Sequence, residues 1–198
     1  MFNEQEYANV IKNGTIEVIC GPMFSGKTEE LLRRLKRARI ANLPIAIFKP
    51  LTDNRYSELN IVSHDANFYP SLVVSHPSEM IKHSANASVV AFDEAQFFDA
   101  ELPDVVEKLA MEGKRVIAAG LDMDSYGKPF GSMPQLMSIA DYVTKLSAIC
   151  VVCGAPATHT YRKAGTPDTV TVGGSDFYEP RCRKCFYNRG QESGDRGQ

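Results

Sequence analysis

The sequence predicts an α/β fold, in which a parallel sheet is flanked by helices and a small separate unit follows near the C-terminus. Apolar runs of strand length alternate with amphipathic helical stretches between residues 15 and 149, which is typical of a parallel sheet covered on both faces. A glycine-rich loop joins the first strand to the first helix, and two C-x-x-C pairs lie towards the C-terminal end. We therefore expect an α/β domain over residues 1–148, a metal-binding lasso domain over 149–190 and a flexible tail over 191–198.

The first strand and the loop after it predict a phosphate site. The strand, residues 15–20, leads into GPMFSGKT at 21–28, which matches the P-loop pattern G-x-x-x-x-G-K-[ST] at every fixed position. Its glycines let successive backbone N–H groups converge on phosphate oxygens, Lys27 adds a positive charge near the outer phosphates, and the hydroxyl of Thr28 is placed to bind Mg²⁺. A chance glycine loop is the alternative, but the strand before it and the helix after it are the context that the motif requires.

The remaining elements follow from apolar spacing. Further strands are expected at 44–49, 72–74, 88–92, 115–121 and 143–149, and helices at 29–41, 77–85, 101–112 and 134–140. Between residues 51 and 69 the pattern weakens, which predicts a long connection. The basic residues of the first helix, Arg33, Arg34, Lys36, Arg37 and Arg39, predict a solvated helix face rather than a nucleic-acid site.

Composition limits the class of protein. The chain has 198 residues, with 22 Lys and Arg against 24 Asp and Glu and a net charge of -2. That balance argues against a protein that mainly grips nucleic acid. No apolar run approaches the ~20 residues that span a bilayer, and MFNEQEYANV is not typical of a signal peptide, so we expect a cytoplasmic protein with no membrane partner. Cysteines in such a protein indicate thiols and metal ligands before disulfides.

The strand at 88–92 ends in two carboxylates, Asp93 and Glu94. After a P-loop, a hydrophobic strand that ends in a carboxylate predicts the second half of the site, with Asp93 binding Mg²⁺ beside Thr28. Glu94 lies where open α/β sheets bind their ligands, which makes it a candidate general base. The alternative is that Glu94 only caps the next segment.

Four of the five cysteines form the pairs Cys150/Cys153 and Cys182/Cys185. Two such turns complete a tetrahedral four-thiolate zinc site, and a closed site of this kind is normally structural; a redox dithiol pair is the alternative. The long intervening stretch must leave the metal and return, so we expect a hairpin with arms at 158–163 and 169–172. The zinc-binding lasso would hold residues 172–178 over the main domain, and Cys20 is interpreted as a buried small hydrophobe.

In order and spacing these features resemble the cytosolic, zinc-containing class of thymidine kinases. The motifs that carry the resemblance are GPMFSGKT at 21–28, DEAQFF at 93–98, GLD at 120–122, KPFG at 128–131, the two C-x-x-C pairs and VGGSDFY at 172–178. The resemblance covers residues 15–187. It implies an enzyme that transfers the γ-phosphate of ATP, held with Mg²⁺, to the 5′-hydroxyl of thymidine or deoxyuridine in nucleotide salvage.

The resemblance also implies roles for single residues. Glu94 becomes the base that takes the proton of the 5′-hydroxyl, and Arg55 lies near the phosphates. The implied ATP–Mg²⁺ site comprises Gly21, Pro22, Met23, Phe24, Ser25, Gly26, Lys27, Thr28 and Asp93. The implied nucleoside site comprises Met23, Phe97, Leu121, Phe130, Thr160, Val172, Gly174 and Tyr178, with the lasso contacting the base largely through backbone groups. A homotetramer and feedback inhibition by dTTP in the nucleoside site are implied as well.

Two departures from the family pattern stand out. Ser125 occupies a position where many members have Phe, and Cys185 keeps an all-cysteine zinc set where some bacterial members have His.

Two other functions fit parts of the sequence. In a P-loop ATPase with a zinc-bound nucleic-acid module, the Glu of an Asp-Glu pair orients water, so Asp93 and Glu94 alone do not distinguish a nucleoside hydroxyl from water as acceptor. The near-neutral charge and the lack of an aromatic and basic stripe argue against that module. A nucleotide-regulated interaction protein is the third reading, and it would leave Glu94 expendable.

Overall fold

A computed structural model describes residues 14–50, 60–62, 68–74, 77–163 and 176–188, and all structural statements below refer to these residues. The strands are β1 (Thr15–Cys20), β2 (Ile45–Pro50), β3 (Asn60–Val62), β4 (Phe68–Pro70), β5 (Leu72–Val74), β6 (Val89–Phe92), β7 (Arg115–Gly120), β8 (Tyr142–Lys145), β9 (Ala148–Ile149), β10 (Pro156–Ala157), β11 (His159–Arg162) and β12 (Tyr178–Arg181). The helices are α1 (Lys27–Ile40), α2 (Pro77–His83), α3 (Leu102–Met111), α4 (Met133–Ile139) and α5 (Arg183–Tyr187), with a 3-10 helix at Ala95–Phe97.

Six strands form one sheet in the order β5-β2-β6-β7-β1-β8, and every neighbouring pair is parallel. The predicted fold class, a parallel sheet flanked by helices, is therefore confirmed. In the register of the sheet Cys20 lies opposite Gly120, and Phe92 lies opposite Ala118. The carboxyl ends of β1, β7 and β6 consequently meet at one edge of the sheet, which is where open α/β sheets bind their ligands.

Helices cover both faces of the sheet. Because strand side chains alternate between faces, Val18 and Val116 pack into one core with α3 and α4, whereas Ile19 and Ile117 pack into the other with α1. Each face is buried, which explains why these strands are continuous apolar runs in the sequence.

The predicted strand at 143–149 is wrong, because the segment is divided between two sheets. β8 ends at Lys145, and the N–H of Leu146 donates the last ladder bond to the carbonyl of Cys20 at 2.8 Å. The chain then leaves the main sheet, and β9 pairs antiparallel with β10 beside the cysteine pairs. Two different pairing partners thus divide the segment that the sequence predicted as one strand.

The connection predicted at 51–69 contains structure that the sequence did not indicate. β3 pairs antiparallel with β4, so this part of the chain includes a short ladder ahead of β5. In the C-terminal unit, whose described residues are 149–163 and 176–188, β11 corresponds to the first arm of the predicted hairpin. Its partner is β12, with Thr160 opposite Pro180, whereas the predicted second arm at 169–172 lies outside the described residues, as does the predicted tail.

The C-terminal unit packs on the loop that follows β7. Phe186 is fully buried and lies 4.6 Å from His159 between ring centroids. A Cβ added at Gly127 would lie 3.2 Å from the Phe186 ring, so this loop contacts the unit closely. Among the residues that the structure describes, no helix combines the length and the apolar character needed to cross a membrane.

Ion pairs connect the charged face of α1 to the sheet. Buried Glu17 accepts hydrogen bonds at 2.6 Å from Arg34 and from Arg115, while Glu30 accepts from Arg33 at 2.6 Å and from Arg34 at 2.8 Å. The prediction of a solvated basic face is therefore wrong for Arg34, whose side chain is only 11% exposed. Its position over β1 makes it a structural cation.

Glu30 generates a prediction about acid stability. Hydrogen bonds from Arg33, and further ones from Arg34, lower the pKa of Glu30 to about 2. Glutamate in an unfolded chain has a pKa of about 4.3, so the charged group stabilises the fold above that pH and this contribution is lost as the pH falls towards 2. We expect Glu30→Gln to lower the Tm at pH 7, and the difference from wild type to shrink between about pH 4.5 and about pH 2. Thermal unfolding followed by circular dichroism measures this.

The matched control is Glu29→Gln, which removes the same charge from the same helical turn at an exposed position. It should change the Tm little. A Tm difference for Glu30→Gln that stays constant across the acid range would contradict the assignment.

Candidate functional site

The P-loop leaves β1 and enters α1 directly. Gly21 and Gly26 have positive φ angles of 143° and 82°, and a Cβ at Gly21 would lie 2.5 Å from the carbonyl oxygen of Leu146. The root of the loop therefore packs against the end of β8 so closely that only glycine fits there. Lys27 Nζ and Ser25 Oγ each donate to the carbonyl of Pro22 at 2.8 Å. The ammonium group thus lies across the loop, at the carbonyl of Pro22.

Asp93 and Glu94 follow β6 at the same edge of the sheet. Asp93 is buried, its N–H donates to the carbonyl of Phe48 at 3.0 Å, and its Oδ1 accepts from the N–H of Glu94 at 3.1 Å. Glu94 adopts φ 53° and ψ 43°, in the left-handed region that a side chain disfavours. Such a conformation costs on the order of 1–3 kcal/mol and persists only where the surroundings enforce it. The predicted general base is therefore held in a strained turn.

Gln96 is a site residue that sequence reasoning missed. Its side chain is almost fully buried; Nε2 donates to Glu94 Oε2 at 2.6 Å, and Oε1 accepts from the N–H of Leu121 at 2.9 Å. The amide therefore joins the carboxylate at the end of β6 to the backbone at the end of β7. The sequence signals were its place in the DEAQFF motif at 93–98 and its polarity in the otherwise apolar run after Asp93 and Glu94, but neither indicated its role.

Most predicted nucleoside residues that the structure describes lie near one another in two groups. The rings of Phe97 and Phe130 pack edge to face with centroids 5.5 Å apart, and the backbone N–H of Met23 donates to Thr160 Oγ1 at 3.0 Å. Tyr178 lies opposite Arg162 on the β11–β12 ladder, so its side chain shares a face with that of Thr160. The hydrogen bond from Met23 to Thr160 thus joins the P-loop directly to the C-terminal unit.

Leu121 is buried at the end of β7, where Gln96 contacts its backbone. Three predicted site residues, Arg55, Val172 and Gly174, lie outside the described residues.

An ion pair that the sequence did not reveal spans the root of the P-loop. Asp122, which follows β7, is buried and accepts from Lys145 Nζ at 2.6 Å. Because β1 lies between β7 and β8, the pair crosses over the end of β1 at Cys20. Burial, with a further contribution from Asp122, raises the pKa of the Cys20 thiol to about 11, against the opposing effects of Lys145 and Lys27. The thiol therefore stays protonated, as expected of a buried small hydrophobe rather than a nucleophile.

The four paired cysteines converge in the C-terminal unit. The Sγ atoms of Cys150, Cys153, Cys182 and Cys185 all lie within 4.8 Å of one another, and Cys153 Sγ is 3.7 Å from Cys182 Sγ. A tetrahedral zinc ion with Zn–S bonds of about 2.3 Å needs sulfurs about 3.8 Å apart, so this donor set fits such an ion.

Backbone geometry already favours a thiolate in the cluster. Burial raises the pKa of Cys150, but N–H groups of Cys182, Cys153 and Val152 outweigh it and bring that pKa down to about 6. The sulfur of Cys182 also accepts from the N–H of Cys185 at 3.5 Å at the start of α5.

Comparison with known proteins identifies the family. The family model described as thymidine kinase matches residues 14–186. A protein named thymidine kinase from Rhodothermus sp. (strain ITI 518) is 56% identical over 173 residues, which is 87% of this chain and 81% of that protein. Proteins of the same name from Porphyromonas gingivalis (strain W83 among them) are 50% identical over 92% of this chain and 90% of theirs. One from Bacteroides fragilis (strain YCH46) is 48% identical over 97% of this chain and 96% of its own.

One solved structure shows a much weaker similarity. A crystal structure of a DNA replication initiation factor has a TM-score of 0.43 at 11% identity, covering 72% of this chain and 43% of that one, a similarity too low to indicate function. The sequence relatives and the family model, by contrast, span nearly the whole chain. The chain therefore belongs to the thymidine kinase family.

Proposed function

We propose that the protein is a thymidine kinase that transfers the γ-phosphate of ATP to the 5′-hydroxyl of thymidine, or of deoxyuridine, and thereby makes dTMP for pyrimidine deoxynucleotide salvage. The observation that carries the proposal is that the P-loop, at the end of β1, and the Asp93-Glu94 pair, at the end of β6, lie at the same edge of the sheet, in a chain whose family match covers residues 14–186. That arrangement supports a site in which phosphate-binding groups and a carboxylate base share one edge of the sheet.

In the proposed site the residues of the P-loop hold the phosphates. Backbone N–H groups of 21–28 and the ammonium of Lys27 bind the β- and γ-phosphates, with Arg55 as a further cation. Thr28 and Asp93 are the proposed ligands of Mg²⁺, whose charge would neutralise the phosphate oxygens. Glu94 accepts the proton of the 5′-hydroxyl as that oxygen bonds to the γ-phosphorus and the bond to the bridging oxygen of ADP breaks.

The proposed nucleoside pocket adjoins this carboxylate. The Phe97–Phe130 pair and Leu121 supply apolar walls, and Met23 and Thr160 lie where the P-loop meets the C-terminal unit. Tyr178, Val172 and Gly174 are the proposed contacts of the lasso, which would exclude water from the reacting phosphate. Apolar walls beside a base favour an organic hydroxyl over water as acceptor.

Acceptor specificity is the direct test. We expect labelled ATP-Mg²⁺ to give labelled dTMP with thymidine and labelled dUMP with deoxyuridine, and little free phosphate when no nucleoside is present. Thin-layer chromatography of the products over a panel of nucleosides measures this. Free phosphate as the main product, above all if added DNA increased it, would instead support the P-loop ATPase with a zinc-bound nucleic-acid module.

The role of Glu94 is tested by Glu94→Gln, which keeps the size of the side chain and removes its basicity. We expect kcat to fall by about 10²–10⁴, the usual contribution of a general base, with the Kd of ATP nearly unchanged. Steady-state kinetics with equilibrium nucleotide titration measures both quantities. Glu101→Gln is the control, because it removes an exposed carboxylate just beyond the same loop. Near-normal turnover of Glu94→Gln would reject the assignment and favour a nucleotide-regulated interaction protein.

We also propose that the four clustered cysteines hold one structural zinc ion. The donor geometry supports this, since all four sulfurs are used and a closed site leaves no open position for catalysis. The zinc would close the base of the lasso domain, residues 149–190, and attach it to the P-loop domain at 1–148, with 191–198 as a tail.

Removal of one ligand tests the zinc site. We expect the wild type to contain about one zinc per chain, and Cys182→Ser to lose the metal and to lower the Tm, because a structural zinc site contributes directly to folding. Inductively coupled plasma mass spectrometry and thermal unfolding measure the two effects. Cys20→Ala is the matched control, since it removes a core thiol and should retain the zinc. Wild-type protein that is free of zinc and equally stable would contradict the proposal.

The last part of the proposal concerns the oligomeric state, the regulation and the location of the protein. We propose a homotetramer that is inhibited by dTTP occupying the nucleoside site, and a cytoplasmic location. Family membership supports these features, and a reducing compartment suits a site made of four thiols.

A further inference from the structure

The side-chain amide of Gln96 links the end of β6 to the end of β7. Its exposure is only 3%, and it makes two hydrogen bonds of opposite polarity, from Nε2 to Glu94 Oε2 at 2.6 Å and from the N–H of Leu121 to Oε1 at 2.9 Å. Since an ionised carboxylate can only accept and a backbone N–H can only donate, one orientation of the amide satisfies both partners. The amide is therefore fixed in direction as well as in position.

The surrounding backbone packs closely against Gln96. A Cβ added at Gly120 would lie 2.6 Å from Gln96 Oε1 and 2.7 Å from Met133 Sδ, so β7 ends in a residue without a side chain where the amide approaches. On the other side, a Cβ at Gly131 would lie 2.2 Å from the carbonyl oxygen of Gln96. The backbone at these two glycines therefore packs against the side chain and the backbone of Gln96 so closely that a Cβ would not fit between them.

Glu94 needs such a constraint. Its backbone is in the left-handed region, and a glutamate side chain has three rotatable bonds that would otherwise let the carboxylate take several directions. A charge-assisted hydrogen bond of 2.6 Å from the buried amide of Gln96 selects one of these directions. Catalytic geometry depends on such selection, because a displacement of about 1 Å can lower a rate about 100-fold.

We propose that Gln96 is a positioning residue for Glu94, and that it fixes the carboxylate of the general base relative to Leu121, a wall of the nucleoside pocket. The inference rests on the proposed function, because it assigns a partner to the base of that reaction. Gln96 acts here through Glu94 and takes no proton itself, since a side-chain amide does not titrate. Movement of the Leu121 backbone and direction of the base are thereby coupled through one side chain.

The test replaces the amide without changing the length of the side chain. We expect Gln96→Met to lower kcat between about tenfold and about 100-fold, while the KM for ATP stays within about twofold. In the Glu94→Gln background the same substitution should cause no further fall in kcat, because the carboxylate that Gln96 positions is already gone. Steady-state kinetics of the wild type, the two single variants and the double variant completes this double-mutant cycle. Gln96→Asn keeps an amide but is one methylene shorter, and it replaces Gln96→Met if that variant folds poorly.

Ser132→Ala is the control for a loss of packing or hydrogen bonding alone. Ser132 is buried to a similar degree, and its Oγ donates to the carbonyl of Asp99 at 2.9 Å, just beyond the 3-10 helix. Its kcat should equal that of the wild type even where its Tm falls. Wild-type kcat in Gln96→Met, or an equal further loss in the Glu94→Gln background, would overturn the positioning role.

A structural arm separates this inference from the proposed function. Crystal structures of the wild type and of Gln96→Met should differ at one point. In the variant we expect the Glu94 carboxylate to be displaced or to occupy several rotamers, while the backbone of the 3-10 helix is the same in both. An unmoved carboxylate would overturn the inference whatever the acceptor of the phosphate is. A wild type that does not phosphorylate thymidine would overturn the proposed function, and the structural comparison would still decide the role of Gln96.

Discussion

Parallel pairing of β1, β7 and β6 is the constraint on which the rest of the structure depends. The ladder sets Cys20 level with Gly120, and Phe92 level with Ala118, so three chain segments that are far apart in sequence leave the sheet at one edge. The P-loop, the segment from Leu121 and the Asp93-Glu94 pair follow these ends without any long connection. A strand register slipped by one residue would reverse every buried side chain of that strand, so both cores of the sheet also fix the geometry of the site.

Contacts at the root of the P-loop carry this order into the C-terminal unit. The Asp122–Lys145 ion pair crosses the end of β1, and the N–H of Met23 donates a hydrogen bond to Thr160 in β11. The P-loop is thus connected on one side to the sheet and on the other to the cysteine-containing unit.

Sequence patterns predicted what depends on local spacing and missed what depends on contacts between distant residues. The P-loop, the buried strands and the converging cysteines were readable because each feature is periodic or has fixed short spacing. The bond from Gln96 to Leu121 joins residues 25 apart, and the pairing of β11 with β12 was not encoded in either strand alone. The break after Lys145 was hidden for the same reason, because one continuous segment serves two sheets whose partners lie elsewhere in the chain.

Glu94 shows how a carboxylate pair shared with hydrolases can suit a kinase. If β6 continued as a strand, Asp93 and Glu94 would project to opposite faces. The left-handed turn at Glu94 breaks that alternation, and the buried amide of Gln96 holds the carboxylate beside the end of β7. On the proposed function, the base is thus in place before an acceptor arrives. A nucleoside that fills the apolar space beside Phe97 and Phe130 brings its hydroxyl to a fixed carboxylate, whereas water has no apolar body with which to occupy that space.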